Sequence, residues 1–202
     1  MILSTRIRVA RNMADYPLGS GVTKEQRKEI EQHVINATET FEGELKGKYY
    51  SLETMTEDEQ KQLIEDHFLF KEGDKYLEAA SLTRDWPSGR GIFHNDNKTF
   101  LIWVNEEDQL RIISMQPGSN IGQVFERLST AASLIEKQAK FAKDEHLGYI
   151  TSCPTNLGTG LRASVHIKLP KLAKQKDEFQ AIADKYHVQI RGIHGEHSED
   201  DS

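Results

Sequence analysis

The sequence predicts an α+β domain, an antiparallel sheet flanked by helices, on three observations. Between Gly91 and Met115, three short runs rich in β-branched and aromatic residues, GIFH, KTFLIWVN and LRIISM, are separated by polar turns, which is the pattern of a meander. Thr23 and Thr56 each stand three residues before a Gln or Glu and open segments of helical spacing. Strands and helices then alternate irregularly, with no Gly/Ser/Pro-rich linker, repeat or low-complexity run to divide the chain.

The opening segment, Ile2 to Val9, reads as a strand with Ile2, Ser4, Arg6 and Arg8 on one face and Leu3, Ile7 and Val9 near the other. The capping box of Thr23 and Gln26 starts a helix whose apolar stripe is Ile30, Val34, Ala37 and Phe41. A second box, Thr56 with Glu59, opens a short helix through Leu63 and Ile64 that ends near Asp66 and His67. After the meander, Ile121, Val124, Phe125, Leu128, Ala132 and Ile135 mark a long amphipathic helix, and GYITSC reads as a strand. Arg162 to Leu169 alternates strictly, which predicts a strand with one face on a core and the other on a polar cleft. A last helix around Glu178 to Tyr186 precedes an expected short strand from His187 to Arg191 and an acidic tail.

Composition narrows the class. With 202 residues, 37% hydrophobic and 29% charged, the chain has enough apolar material for a buried core and too much for a disordered segment. No run approaches the length of a membrane span, and the first residues have no secretory-signal pattern. A formal charge of -6 argues against a general nucleic-acid binder, so neither nucleic acid nor membrane is an expected partner. The single cysteine, Cys153, excludes an intrachain disulfide and points to a reducing compartment, hence the cytoplasm. No metal site is expected: His194, Glu196 and His197 give a mixed HGEH spacing with no second ligand pair.

The arginines carry the chemistry. Arg6 and Arg8 share a strand face, Arg111 and Arg162 open strands, and Arg191 closes the last segment. A guanidinium binds phosphate as a bidentate fork, so several of them on one sheet face would neutralise a triphosphate without a glycine-rich loop; ordinary solvated strand-end cations give the same pattern. The turn CPTNLGTGLR has two glycines but no Walker ending and leads into a strand. Cys153 is either a small buried hydrophobe or a thiolate favoured by a nearby cation such as Arg162, and Glu106, Glu107 and Asp108 form either a solvated hairpin turn or an acidic site.

The strings STRIRVAR, DHFLF, RDWPSGRGIFHNDNKTFLIWVNEEDQLRIISMQ, CPTNLGTGLRASVHIKLP and RGIHGEHSE, in this order over nearly all of the chain, resemble the catalytic domain of phosphagen kinases, the ATP:guanidino phosphotransferases. The resemblance implies a sheet of the glutamine-synthetase-like kind and reversible transfer of the γ-phosphoryl group of MgATP to a guanidinium nitrogen, an energy buffer. It implies that Ser4, Thr5, Arg6, Ile7 and Arg8 form the first nucleotide-binding motif. His67, Arg111, the run Arg162, Ala163, Ser164, Val165 and His166, and the run Arg191, Gly192, Ile193, His194, Gly195 and Glu196 match the others, while Trp103 lines the nucleotide pocket. ATP or ADP with Mg2+ is the implied cofactor, the metal held mainly by phosphates and water. Glu107 and Glu196 match the carboxylates that hold the substrate guanidinium, and Cys153 the thiol beside it, an orienting group rather than a nucleophile.

The spellings RASVHIKLP and RGIHGEHSE are similar to family members that act on arginine, while GTGLR is shared with those that act on creatine. L-Arginine is therefore the favoured small-molecule partner, with taurocyamine next; a nucleotide-binding piece without turnover and a protein-directed relative are the other readings. Gln109 stands where the family commonly has His. The family's helical N-terminal domain and the stretch after GEHSE have no counterpart in the 202 residues, so the chain reads as an incomplete catalytic domain expected to turn over little or no arginine alone.

Overall fold

A computed structural model describes residues 1–70 and 73–191. The elements run β1 (Ile2–Arg11), α1 (Lys24–Thr38), β2 (Gly47–Ser51), α2 (Glu57–Glu65), α3 (Lys75–Ala79), β3 (Gly91–Asn95), β4 (Phe100–Val104), β5 (Leu110–Pro117), α4 (Ile121–Gln138), β6 (Lys143–Asp144), β7 (Gly148–Tyr149), β8 (Leu161–Ile167) and α5 (Lys176–Lys185). Six strands form one antiparallel sheet in the order β2-β3-β4-β5-β1-β8, so the α+β expectation and the meander both hold. Both capping boxes close as read: Thr23 accepts from the Gln26 amide and Thr56 from the Glu59 amide, and each partner side chain reaches back.

The two faces of the sheet are built differently. On the back, Ile7, Val9, Ile102, Val104 and Ile112 meet Ile30 and Val34 of α1 and Val124, Leu128, Ala131 and Ile135 of α4, all buried. Each such aliphatic side chain contributes about 1.5–3 kcal/mol on burial. On the front, among the described residues, the β2-β3-β4 half is packed together with Ile113 and Met115 of β5: Ile92, Leu101 and Ile113 lie under Leu52, Leu69 and Phe70, flanked by Leu63, Ile64, Trp86 and Met115. The other half of the front, over β5, β1 and β8, carries guanidiniums.

Three expectations need correction. In GYITSC only Gly148 and Tyr149 are strand, paired with β6. Beyond them the Asn12 amide takes the Ile150 carbonyl and Asp108 takes the Ser152 N–H, so side chains consume the groups a ladder would use. The Arg162 strand has no core face along most of its length, because β8 is the edge of the sheet and Val165 and Ile167 are each 43% exposed. Residues 187–191 form no strand: the Val188 N–H closes back on the Ala183 carbonyl as a helix-end bond, and no neighbour offers a ladder among the described residues.

Candidate active site

Directly opposed residues of an antiparallel pair share a face. Arg8 stands opposite Arg162 of β8, Arg6 opposite Ser164, and Arg111 of β5 lies between Ala10 of β1 and Trp103 of β4. Four guanidiniums from three neighbouring strands therefore emerge on the front face, accompanied by Trp103, Ser4, Ser164 and His166. Their proximity is electrostatic as well as topological. Burial, then the charges of Arg111, Arg6 and Arg162, push the Arg8 guanidinium down to about 10, with Glu106 acting the other way. Burial and Arg111 likewise lower Arg6. Arg8 nonetheless remains a cation near neutrality, held beside the others in spite of mutual repulsion.

The acidic turn between β4 and β5 closes one end of this face. The Arg111 Nη2 is shared, 3.1 Å from a Glu106 oxygen and 3.1 Å from a Glu107 oxygen, all three side chains being largely buried. Burial raises the Glu107 carboxyl above its ordinary range; Arg111 opposes this, and Glu106 and Asp108 add to it. Trp103 completes the wall, its ring centroid 5.3 Å from the Arg111 guanidinium carbon and its indole N–H donating to the Phe68 carbonyl at 2.7 Å. His67, at φ +59 in the turn after α2, is the residue just before Phe68 and so lies beside that wall.

At another edge, Cys153 precedes a single 3-10 turn, Pro154–Asn156. Its Sγ is 3.0 Å from the Thr155 hydroxyl, which also accepts from Arg162 at 3.3 Å. Thr155 is thus the physical connection between the thiol and the arginine that the sequence only placed near one another.

Other matched positions lie elsewhere. Thr5 and Ile7 alternate onto the back of the sheet, where Thr5 donates to the Gly118 carbonyl at 2.7 Å and Ile7 joins the core. Ala163 and Val165 share that back face, so for these four only the backbone faces the ladder beside the arginines. Arg191 lies in the segment after α5 and donates to Gln189 at 2.7 Å. The strand registers place four of the five expected arginines, Arg6, Arg8, Arg111 and Arg162, on one face. Gly192, Ile193, His194, Gly195 and Glu196 lie outside the described residues.

Sequence reasoning passed over Glu106, although its spacing of five from Arg111 was available. It also left Gln109 without a role: the side chain is buried, accepts from the Met13 N–H at 2.8 Å and donates to the Pro17 carbonyl at 3.0 Å, tying the start of β5 to the segment after β1.

The model of the ATP:guanido phosphotransferase C-terminal catalytic domain matches residues 29–202. The arginine kinase of Penaeus japonicus is 56% identical over 198 residues and that of Schistocerca americana 57%, each alignment covering 98% of this chain and 56% of the relative. The chain thus spans about half the length of the curated relatives it matches. Among solved structures, the duplicated taurocyamine kinase of Schistosoma mansoni with bound transition-state analogue components superposes with a TM-score of 0.90 at 49% identity, covering 98% of this chain and 28% of that one. A lombricine kinase superposes with a TM-score of 0.91 at 43% identity, covering 98% and 56%.

Proposed function

The chain belongs to the ATP:guanido phosphotransferase family, and from that premise we propose that it supplies the catalytic surface for reversible transfer of the γ-phosphoryl group of ATP to the guanidinium of L-arginine. The observation that carries this reading is the convergence of Arg6, Arg8, Arg111 and Arg162 on the uncovered half of one sheet face, with Glu107 and Cys153 at its edges. Arginine is preferred over taurocyamine and lombricine because the arginine kinases are the more similar relatives, at 56–57% identity against 49% and 43%. A cytoplasmic location, where ATP is supplied, belongs to the same proposal; among the described residues no helix is long and apolar enough to cross a membrane.

The donor set fits a magnesium nucleotide. Guanidiniums are pure donors and match phosphate oxygens. Mg2+ bound with the nucleotide would lower the anion's charge and polarise the transferred group, while Arg6, Arg8, Arg111 and Arg162 would hold the phosphates. Among the described residues no group of three His, Cys, Asp or Glu stands together to hold a metal.

The chain's own residues then divide the task. The four arginines orient the phosphates and stabilise the charge on the transferred group, which is most of what phosphoryl transfer needs. Trp103 packs against the arginine side of the site. Glu107 accepts a guanidinium N–H of the substrate and, with its proton affinity already raised by burial, takes the proton as nitrogen attacks phosphorus and the bond to the bridging oxygen of ADP breaks. Glu106 remains paired to Arg111 when Glu107 turns to substrate, so Arg111 is not left as a bare charge. Glu196 is proposed as the second carboxylate of the guanidinium fork. Cys153 orients.

The test is 31P NMR of the full-length protein with MgATP and L-arginine, taurocyamine or lombricine in separate tubes, and with an arginine-rich protein. The expected result is phosphoarginine, with kcat/KM for L-arginine at least tenfold above the others, about 1.4 kcal/mol of discrimination. Absence of any phosphoguanidino signal, or preference for another acceptor, overturns it.

A further inference from the structure

Glu107 and Cys153 come from segments 46 positions apart, yet a guanidinium held between them requires their separation to be fixed to within a fraction of an ångström. The structure contains one buried carboxylate that meets both segments. Asp108 follows Glu107 directly and is 4% exposed. Its Oδ1 accepts from the Ser152 N–H at 2.6 Å, the residue before Cys153, and from the Asn12 side-chain amide at 2.8 Å. Asn12 is buried as well, at the end of β1, and is used completely: its amide also donates to the Ile150 carbonyl at 3.1 Å, and its Oδ1 accepts from the Gln109 N–H at 2.9 Å.

The bland explanation is that Asp108 merely closes the hairpin. The hairpin, however, is closed without it. Asn105 N–H donates to the Gln109 carbonyl at 2.8 Å, the Asn105 amide donates to the Gly89 carbonyl at 2.7 Å, and the buried Arg90 donates to the Asn105 carbonyl at 3.1 Å. None of these bonds involves Asp108. Its own two bonds run outward, to Asn12 and to the cysteine loop, and Oδ2 has no partner among the described residues although it is buried. A buried carboxylate with half its acceptor capacity unused is a costly way to saturate a turn. It is explicable when one oxygen must serve two donors from two different segments.

From this geometry we infer that Asp108, seated by Asn12, is a positioning residue that fixes the Cys153 loop against the Glu107 turn and so sets the guanidinium site while leaving the arginine cluster alone. The inference rests on the guanidino-kinase reading above for what the site does, but the mechanical link stands apart from it. Asp108 itself touches no substrate in this scheme. It acts through Ser152 on one side and through its own backbone on the other. Asn is the conservative replacement, since its Oδ1 accepts from the same two donors. Ala removes the acceptor, and Glu moves it by one methylene.

The experiment compares the full-length wild type with Asp108→Asn, Asp108→Ala and Asp108→Glu by three measurements: the rate of iodoacetamide alkylation at Cys153, located by peptide mass spectrometry; MgADP affinity; and the kcat and KM for L-arginine. For Asp108→Ala the expected results are alkylation several-fold faster, MgADP affinity within about threefold of wild type, and kcat down on the order of 100-fold, the usual cost of displacing a reacting group by about 1 Å. Asp108→Asn should restore the alkylation rate and keep kcat within about fivefold. If the Ala variant does not fold, Asp108→Glu carries the test with the same expected pattern. Unchanged alkylation in both Ala and Glu variants, or a parallel loss of MgADP affinity and kcat, overturns the inference. Failure of the guanidino-kinase reading shows separately, as a wild type without turnover, and leaves the alkylation comparison to decide whether the link exists.

Discussion

Replacing Arg8 by Gln should stabilise the protein and cripple it together. The Arg8 guanidinium is held down to about 10, well below the ordinary guanidinium range, first by burial and then by Arg111, Arg6 and Arg162. That depression corresponds to about 3 kcal/mol of unfavourable environment for the charged form. The side chain is partly open to solvent, so screening leaves about half of this, roughly 1.5 kcal/mol. The sign follows from proton linkage. A base whose affinity for its proton is lowered by folding costs stability wherever it is charged in both states, and the cost is relieved only as pH rises above about 10 toward the ordinary guanidinium range. Between pH 6 and 9 the gain from Arg8→Gln is therefore constant. At this chain length it amounts to a rise in Tm of about 3–6 °C. MgADP affinity should fall at least about tenfold, since a charge-assisted contact to phosphate contributes about 1.5–3 kcal/mol. Differential scanning fluorimetry without nucleotide at three pH values, with calorimetric titration of MgADP, measures both. A lower Tm, a gain that disappears between pH 6 and 9, or unchanged MgADP affinity refutes the reasoning.

Glu107→Asp should slow arginine phosphorylation while MgADP affinity stays within about threefold, roughly 0.7 kcal/mol; steady-state kinetics beside nucleotide titration would show the carboxylate serving the arginines instead if both fall together. Because burial raises the Glu107 carboxyl, the folded state holds that proton more tightly, so its contribution to stability is present at acid pH and lost as pH rises through the raised value. Glu107→Gln should accordingly raise Tm at pH 7.5 and change it little at pH 4, and equal shifts at the two pH values would contradict this. Cys153→Ser should keep measurable activity, whereas trapping phosphocysteine by mass spectrometry would make the thiol a nucleophile. Arg111→Ala or Arg162→Ala should lower kcat about 100-fold, the effect of removing one preorganised charge from the transition state.

The parts of the fold legible in the sequence were those that local periodicity decides. The capping boxes at Thr23 and Thr56, the meander from Gly91 and the α4 stripe all depend on neighbours within a few positions. The faces of β1 were equally accessible, which is why Arg6 and Arg8 could be paired beforehand, whereas Arg111 was read only as opening a strand and joined them through the family resemblance. The failures lie where a distant side chain competes with a ladder. GYITSC has the composition of a strand, but Asn12 and Asp108 reach it from far along the chain and take its backbone groups. Alternation in Arg162 to Leu169 was real, yet alternation cannot reveal that β8 is an edge. Motif matching added residues by adjacency: Thr5 and Ile7 came with Arg6 and Arg8 although the pleat turns them the other way.

The same kind of side-chain contact braces the acidic turn. Asn105 sits at φ +58, a conformation Asn tolerates better than most residues, and this sends the chain sharply out of β4. Its amide and carbonyl are then occupied by Gly89 and Arg90 of the segment leading into β3 and by Arg27 of α1. Gly89 is needed there because a Cβ would come within 2.8 Å of the Arg27 side chain, at a φ of +68 that side chains rarely adopt. The covered half of the front face thus braces the turn that ends the uncovered half. Arg111 is tied to that braced turn through Glu106 and Glu107, and its charge acts in turn on Arg8 and Arg6. Packing and charge meet at this turn: Arg90, its guanidinium carbon 5.2 Å from the Trp86 ring centroid, holds the Asn105 carbonyl, and the carboxylates that follow pair with Arg111.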